Sequence, residues 1–216
     1  MDRGTAPLAR HDGRWRYSVG GFGDASVLEG QRLHRRVYEE EGFVPELQVI
    51  TDDGLLKDEW SSASHHITLF ADNVAVGHLR LIDRSAGPLP ADRLWPDLDF
   101  PEHCWEVSAL AVSRDHGRAF DTVKRLYRQA FHYAVTTECT HWVGVVEPKL
   151  LRILGRWFPM DAVGDPVEVP PSWNVPAVVS FADCDRAMQA GTMDSWFRPP
   201  TPIQVERDLA AAGVGQ

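Results

Sequence analysis

Between residues 117 and 137 apolar side chains fall at Phe120, Val123, Tyr127, Ala130 and Ala134, the spacing of one helix face, while Lys124, Arg125, Arg128 and His132 take the other. An earlier helix is predicted to run from Asp24-Ala-Ser to near Glu41, with Leu33 and Val37 four apart and Gly42 as its stop. The stretches His66–Phe70 and Val74–Ile82, joined by Ala71-Asp72-Asn73, read as an antiparallel hairpin. After a proline-rich loop from Pro88 to Pro101 the pattern predicts a third strand, Trp105–Ser113, then a strand His141–Val146 and a helix Pro148–Arg156. Two further β segments follow, near Ala162–Val169 and Ala177–Phe181. Residues 1–24 show no sustained period and read as a loose leader, and 191–216 as a tail around one domain at 25–190. This order predicts an α/β domain of three layers, with a mixed, mostly antiparallel central sheet flanked by helices.

Composition narrows the function. A chain of 216 residues, 44% hydrophobic and 25% charged, is long enough to bury a core without disulfides or metals. No apolar run approaches the roughly 18 residues of a membrane span, and Met-Asp-Arg-Gly-Thr-Ala-Pro is no secretory signal, so a cytoplasmic protein without a transmembrane segment is expected. Cys104, Cys139 and Cys184 are too scattered for a disulfide framework, and the nine histidines lack metal-ligand spacing, so no metal is expected. A net charge of −9 argues against nucleic acid. From Arg114 to Arg156, however, eight basic residues face four acids. That local surplus reads either as a solvated helix face or as a dock for something anionic.

Three features carry candidate chemistry. The turn Arg114-Asp-His-Gly117-Arg118-Ala119 links a strand to the long helix. Free backbone N–H groups and the dipole at a helix N-terminus can hold a phosphate there, and Gly117 permits close approach. On the strand before it, period two puts Glu106 and Ser108 on one face with Leu110 and Val112. A carboxylate in a central strand must be paired or used, and Arg80 presents the complementary oddity. Either the two form an ion pair that fixes the core, or they orient a substrate and accept its proton. Cys104 is read as a packed small residue rather than a nucleophile. Trp142 and the residues from Leu150 to Trp157 suit a ligand groove and plain core equally well.

The turn resembles the Arg/Gln-x-x-Gly-x-Gly/Ala motif of GNAT acyltransferases, which grips the phosphopantetheine of an acyl donor. The runs Leu33–Pro45, Asp53–Trp60, Ser64-His-His66, Gly77–Arg80 and Trp105–Val112 are similar, in order and spacing, to the acyl-homoserine-lactone synthases. They are still more similar to the long-chain N-acyl amino acid synthases and exosortase-associated acyltransferases. The likeness spans roughly residues 30 to 180. It implies a GNAT-like fold and an N-acyltransferase that moves a fatty acyl group from an acyl carrier protein or acyl-CoA to a small primary amine such as an amino acid. No permanently bound cofactor is implied. Glu106, Ser108 and Arg80 would be catalytic, and Leu110, Ala111, Val112, Arg114, Gly117, Arg118 and Ala119 would hold the donor. Tyr38, Asp58, Trp60 and Trp142 would contact substrate. An acyl carrier protein would dock on Arg118, Lys124, Arg125, Arg128, Lys149 and Arg152. Three positions depart from the lactone-synthase pattern: His34 replaces an arginine for which neighbouring Arg35 is the candidate substitute, Ser61 an aspartate, and Ala109 an arginine. The expected acceptor is therefore an amine other than S-adenosylmethionine. A lactone-forming synthase and a non-catalytic acyl-carrier-binding module remain the alternatives.

Overall fold

The computed structural model describes residues 15–43, 49–116, 119–169, 172–193 and 195–198. Strand β1 (Trp15–Gly20) leads into helix α1 (Leu28–Glu41), then the short β2 (Val49–Ile50) and β3 (Leu56–Lys57). The hairpin β4 (Ser64–Ala71) and β5 (Val74–Asp83) is followed by helix α2 (Pro90–Leu94), β6 (Cys104–Val112) and the long helix α3 (Ala119–Ala134). The chain ends through β7 (His141–Val146), α4 (Pro148–Leu154), β8 (Met160–Ala162), β9 (Val167–Val169), β10 (Ser172–Ser180) and α5 (Phe181–Gln189). The main sheet runs β1-β4-β5-β6-β7-β10-β8, with β9 also on β10, and β2 pairs β3 separately. Its only parallel pair among these strands is β6 with β7.

Local chemistry accounts for the boundaries. Gly42 sits at φ 73°, and the N–H of Phe43 returns to the carbonyl of Tyr38 at 2.8 Å, which closes α1. Asp72 and Asn73, both at positive φ (50° and 65°), make the tight turn of the β4–β5 hairpin. The two sheet faces then acquire different cover. On one, Gly30 of α1 lies so close to Thr68 that a Cβ would collide with its hydroxyl at 2.0 Å. On the other, Gly77 admits Thr122 and Leu126 of α3. The main core lies on the α3 face, where Tyr127, Phe131, Trp142, Phe158 and Phe181 meet edge-on and tilted. A smaller cluster of Ile82, Leu89, Trp95, Phe100 and Cys104 packs α2 on the opposite face.

The expected architecture is present, with corrections at the edges and on one strand. The leader reading ends at Trp15: β1 pairs along its whole length with β4 and buries Trp15, Tyr17 and Val19 in alternation. Residues 1–14 lie outside the described residues. The tail reading fails at its start, because Met193 and Phe197 are buried in the main core. Within α3, Phe120 is 60% exposed although it fits the apolar period, and His132 is buried against the carbonyl of Phe197 at 3.1 Å. On β6 the alternation breaks at Ala109, whose φ is 50°. Ser108 opposes Arg80 and Ala111 opposes His78, so Ala109 and Leu110 together face Leu79, which is a β-bulge. Leu110 and Val112 consequently pack toward the α3 core rather than beside Glu106 and Ser108.

Candidate active site

Register assembles the site on the α1 face of the sheet. His66 of β4, Arg80 of β5 and Ser108 of β6 form one row across three strands, and Ser64, Ile82 and Glu106 form the next. Arg80 donates from Nε to Ser108 Oγ at 3.0 Å and from a terminal nitrogen to Asp58 Oδ2 at 2.6 Å. The buried ion pair is thus Arg80–Asp58, not the Arg80–Glu106 pair the strand positions suggested. Ser61 holds the aspartate in turn: its hydroxyl donates to Asp58 Oδ1 at 3.0 Å and accepts from the Asp58 N–H. The residue standing where the resemblance expects a second aspartate therefore clamps the first.

Glu106 remains available for proton transfer. Its Oε2 accepts the N–H of Ala91, at the start of α2, at 2.8 Å, and Oε1 makes no hydrogen bond among the described residues. Burial pushes its carboxyl up to about 7, against the opposing pull of the Ala91 N–H and Arg80. A carboxyl poised there exchanges its proton near neutrality, as a general base must. Cys104, two residues earlier, is the reverse case: burial raises its thiol to about 11, which leaves it inert as a nucleophile.

Beside Arg80 lies a stack of three histidines, assembled only by the fold. The His66 and His78 rings share a hydrogen bond of 3.2 Å between Nδ1 and Nε2, and His34 of α1 stacks on His78 at 5.5 Å between centroids. Burial holds all three neutral, with His34 and His66 lowered to about 3 and His78 well below its ordinary value. His34 Nε2, His66 Nε2 and His78 Nδ1 are buried without a partner. Tyr38 meets His34 edge-on at 4.2 Å, and burial raises its hydroxyl to about 12. Arg35 does not replace the expected arginine. It points outward, to Glu39 at 2.8 Å and the carbonyl of Gly54. No group of three or more His, Cys, Asp or Glu among the described residues can hold a metal ion.

The donor-side expectations divide. Arg114 lies in a 3-10 turn, pairs with Glu41 and is largely exposed; Ala119 opens α3; Gly117 and Arg118 lie outside the described residues. Pairing between β6 and β7 stops at Val107 and Gly144, so beyond that point their facing backbone groups have no ladder partner. That interval includes Leu110, Ala111 and Val112. A small cavity follows, lined by Val107, Tyr127, Trp142, Gly144, Leu154 and Met160, with the Trp142 Nε1 beside it buried and unpartnered. Trp60 is tied by its indole N–H to the carbonyl of Pro88 at 2.8 Å, and its backbone N–H to Asp58. Of the expected docking cations, Lys124 and Arg128 lie over Trp196 at 4.9 and 4.5 Å, and Arg125 lies over Trp15 at 4.7 Å and pairs with Asp121. These three secure the two ends of the described chain against α3. Lys149 and Arg152 of α4 are exposed.

Sequence reasoning read Ser61 only as a lost aspartate and missed its clamp on Asp58, Ala91 and the assembly of the histidine stack. The even numbering of His66, Thr68, His78 and Arg80 was the available signal for a shared face.

Comparison with known proteins follows the same lines. No curated protein sequence matches. Among solved structures, the acyl-homoserine-lactone synthase LasI is 16% identical with a TM-score of 0.64, covering 77% of this chain and 89% of its own. The CoA-dependent acyl-homoserine lactone synthase BjaI is 19% identical with a TM-score of 0.63, over 89% of this chain and 97% of its own. FeeM, an N-acyl amino acid synthase from uncultured soil microbes, is 14% identical with a TM-score of 0.59, over 83% of this chain and all of its own. These likenesses establish the fold. The model of the FeeM N-acyl amino acid synthase family matches residues 29–183, the span that carries α1, the Arg80–Asp58 pair, Glu106 and the parting strands; the chain belongs to that family and is an N-acyltransferase.

Proposed function

We propose that this enzyme moves a fatty acyl group from a phosphopantetheine thioester, borne by acyl carrier protein or coenzyme A, to the primary amine of a small molecule such as an amino acid. The observation that carries the reading is the position of Glu106 and Ser108 on one face of β6, just before the bulge and just where β7 parts from it. The donor arm enters between the parting strands, and its thioester carbonyl lies against the edge of β6 near Leu110 to Val112. Glu106 takes a proton from the ammonium group, and the neutral amine attacks the carbonyl carbon. A β6 backbone N–H holds the developing oxyanion. Collapse breaks the C–S bond; the nitrogen's next proton goes to the departing thiolate, and Glu106 releases its own to solvent. Amide, free thiol and one proton result, with no acyl-enzyme. Arg80, fixed by Asp58 and Ser108, orients the acceptor beside Tyr38 and Trp60.

The relatives support the coenzyme A donor: BjaI is described as CoA-dependent and has been solved with isopentyl-CoA. A carrier protein would meet Lys149 and Arg152, because β6 and β7 run parallel and bring the starts of α3 and α4 to the same end of the sheet. Lys124, Arg125 and Arg128, on α3, add positive potential. No helix among the described residues is long and apolar enough to cross a membrane. Mass spectrometry of lipid extracts from cells expressing the protein tests the reading. A new N-acyl amine that disappears with Glu106→Gln supports it. Methylthioadenosine released from S-adenosylmethionine would instead identify a lactone synthase.

A further inference from the structure

A cleft of about 1090 Å³ shares only Ser64 with the two rows described above. It opens at the end of the sheet where β6 begins, between Val19–Gly21, the start of β4, the end of β5 and the last turn of α3. Its aromatic wall is Trp105, His65 and Tyr133. The Trp105 and His65 rings stack at 5.1 Å and 17°, and the Tyr133 hydroxyl meets His65 Nδ1 at 3.1 Å. Trp105 follows the opposite alternation from Glu106, so this wall faces away from the Arg80 row. Six residues of strand separate it from Ala111, roughly 20 Å at about 3.3 Å each, which places it far from the donor turn.

Three observations define what the cleft would take. Its lining includes the carboxylates of Asp24, Asp83, Glu102 and Glu138 and no lysine or arginine. The C-terminal end of the 16-residue helix α3, with its negative dipole pole, also opens there through Thr136 and Thr137. Trp105 is 6% exposed, and its indole N–H makes no hydrogen bond among the described residues. Carboxylates and a helix C-terminus attract a cation, aromatic faces hold an organic one, and the indole N–H offers a hydrogen bond to an oxygen on the same molecule. Phosphopantetheine, an anion, is repelled. We propose that this cleft is a second ligand site, separate from the acyl-transfer centre, for a small organic ammonium with an apolar or aromatic body.

The test uses phenethyltrimethylammonium, which has no N–H to acylate, with 3-phenylpropionate as a control of similar body and opposite charge. Calorimetry and tryptophan fluorescence on the full chain should show saturable binding of the cation and none of the carboxylate. In Glu102→Gln/Glu138→Gln, two exposed substitutions that leave the core intact, the cation should bind about fivefold to tenfold more weakly. Trp105→Phe should weaken it as well, while Glu106→Gln, in the acyl-transfer centre, should not. No saturable binding at millimolar concentration, equal binding of the carboxylate, or unchanged binding in the double variant would overturn the proposal. None of these outcomes depends on acyl transfer.

Discussion

At Glu106 burial decides the chemistry. The same carboxyl in water would be fully ionised at pH 7 and a weak base; inside the sheet it is raised to about 7 and shares its proton with solvent in the working range. As the proposed base it must be ionised, so kcat should rise with pH through about 7 and level off above it. Glu106→Gln should lower kcat about 100-fold or more and remove that rise, which pH–rate profiles of the two proteins will show. Asp58 has a different duty. With its side chain 4% exposed and 2.6 Å from Arg80, it keeps a buried guanidinium compensated. Asp58→Asn leaves that cation unpaired and should cost about 3–5 kcal/mol of stability in denaturant titrations. Little of this pairing was legible in the sequence. Arg80 and Glu106 stood out as buried charges, but their partners are Asp58, from a loop, and the Ala91 N–H, from a five-residue helix inside what reads as a proline-rich loop.

The elements hold two further consequences. Ala109 occupies left-handed backbone, which disfavours any side chain and penalises β-branched ones most. Ala109→Gly should therefore be neutral or stabilising by up to about 1 kcal/mol, whereas Ala109→Val should destabilise by about 1–2 kcal/mol and disturb the N–H groups beyond it. Denaturant midpoints separate the two. The histidine stack spans α1, β4 and β5, and its folded values lie below the unfolded value of about 6.5. Below that pH the unfolded chain binds protons that the folded chain refuses, so stability falls as pH falls toward about 3. His34 and His66 should each remove about 2 kcal/mol between pH 7 and pH 5, and His78 acts in the same direction. Urea midpoints should drop steeply over that interval, and less steeply in His78→Gln. Periodicity placed α3 within three residues at each end, and apolar runs bounded by turn residues placed β7 and the hairpin within two. It missed β1, whose alternation is short and charged, and α5, and a bulge has no periodic signal at all.

For the whole molecule, the two parallel strands set where the substrates meet. In the proposed reaction the donor would be held at the ends of β6 and β7, where α3 and α4 begin, and the acceptor by residues on the α1 face. The basic surplus was visible in the sequence, but not its division: Lys124, Arg125 and Arg128 grip Trp196 and Trp15, and Lys149 and Arg152 are left outward. Charge reversal at Lys149 and Arg152 should cut turnover of an acyl carrier protein donor about tenfold at low salt, with less effect at high salt and little on acyl-CoA. The most direct measurement is release of free thiol from purified enzyme supplied with a long-chain acyl donor, with and without a primary amine. Amine-dependent thiol release, matched mole for mole by N-acyl product and nearly abolished in Glu106→Gln, is the predicted result. Thiol release that ignores the amine, or product formation undiminished in that variant, would contradict it.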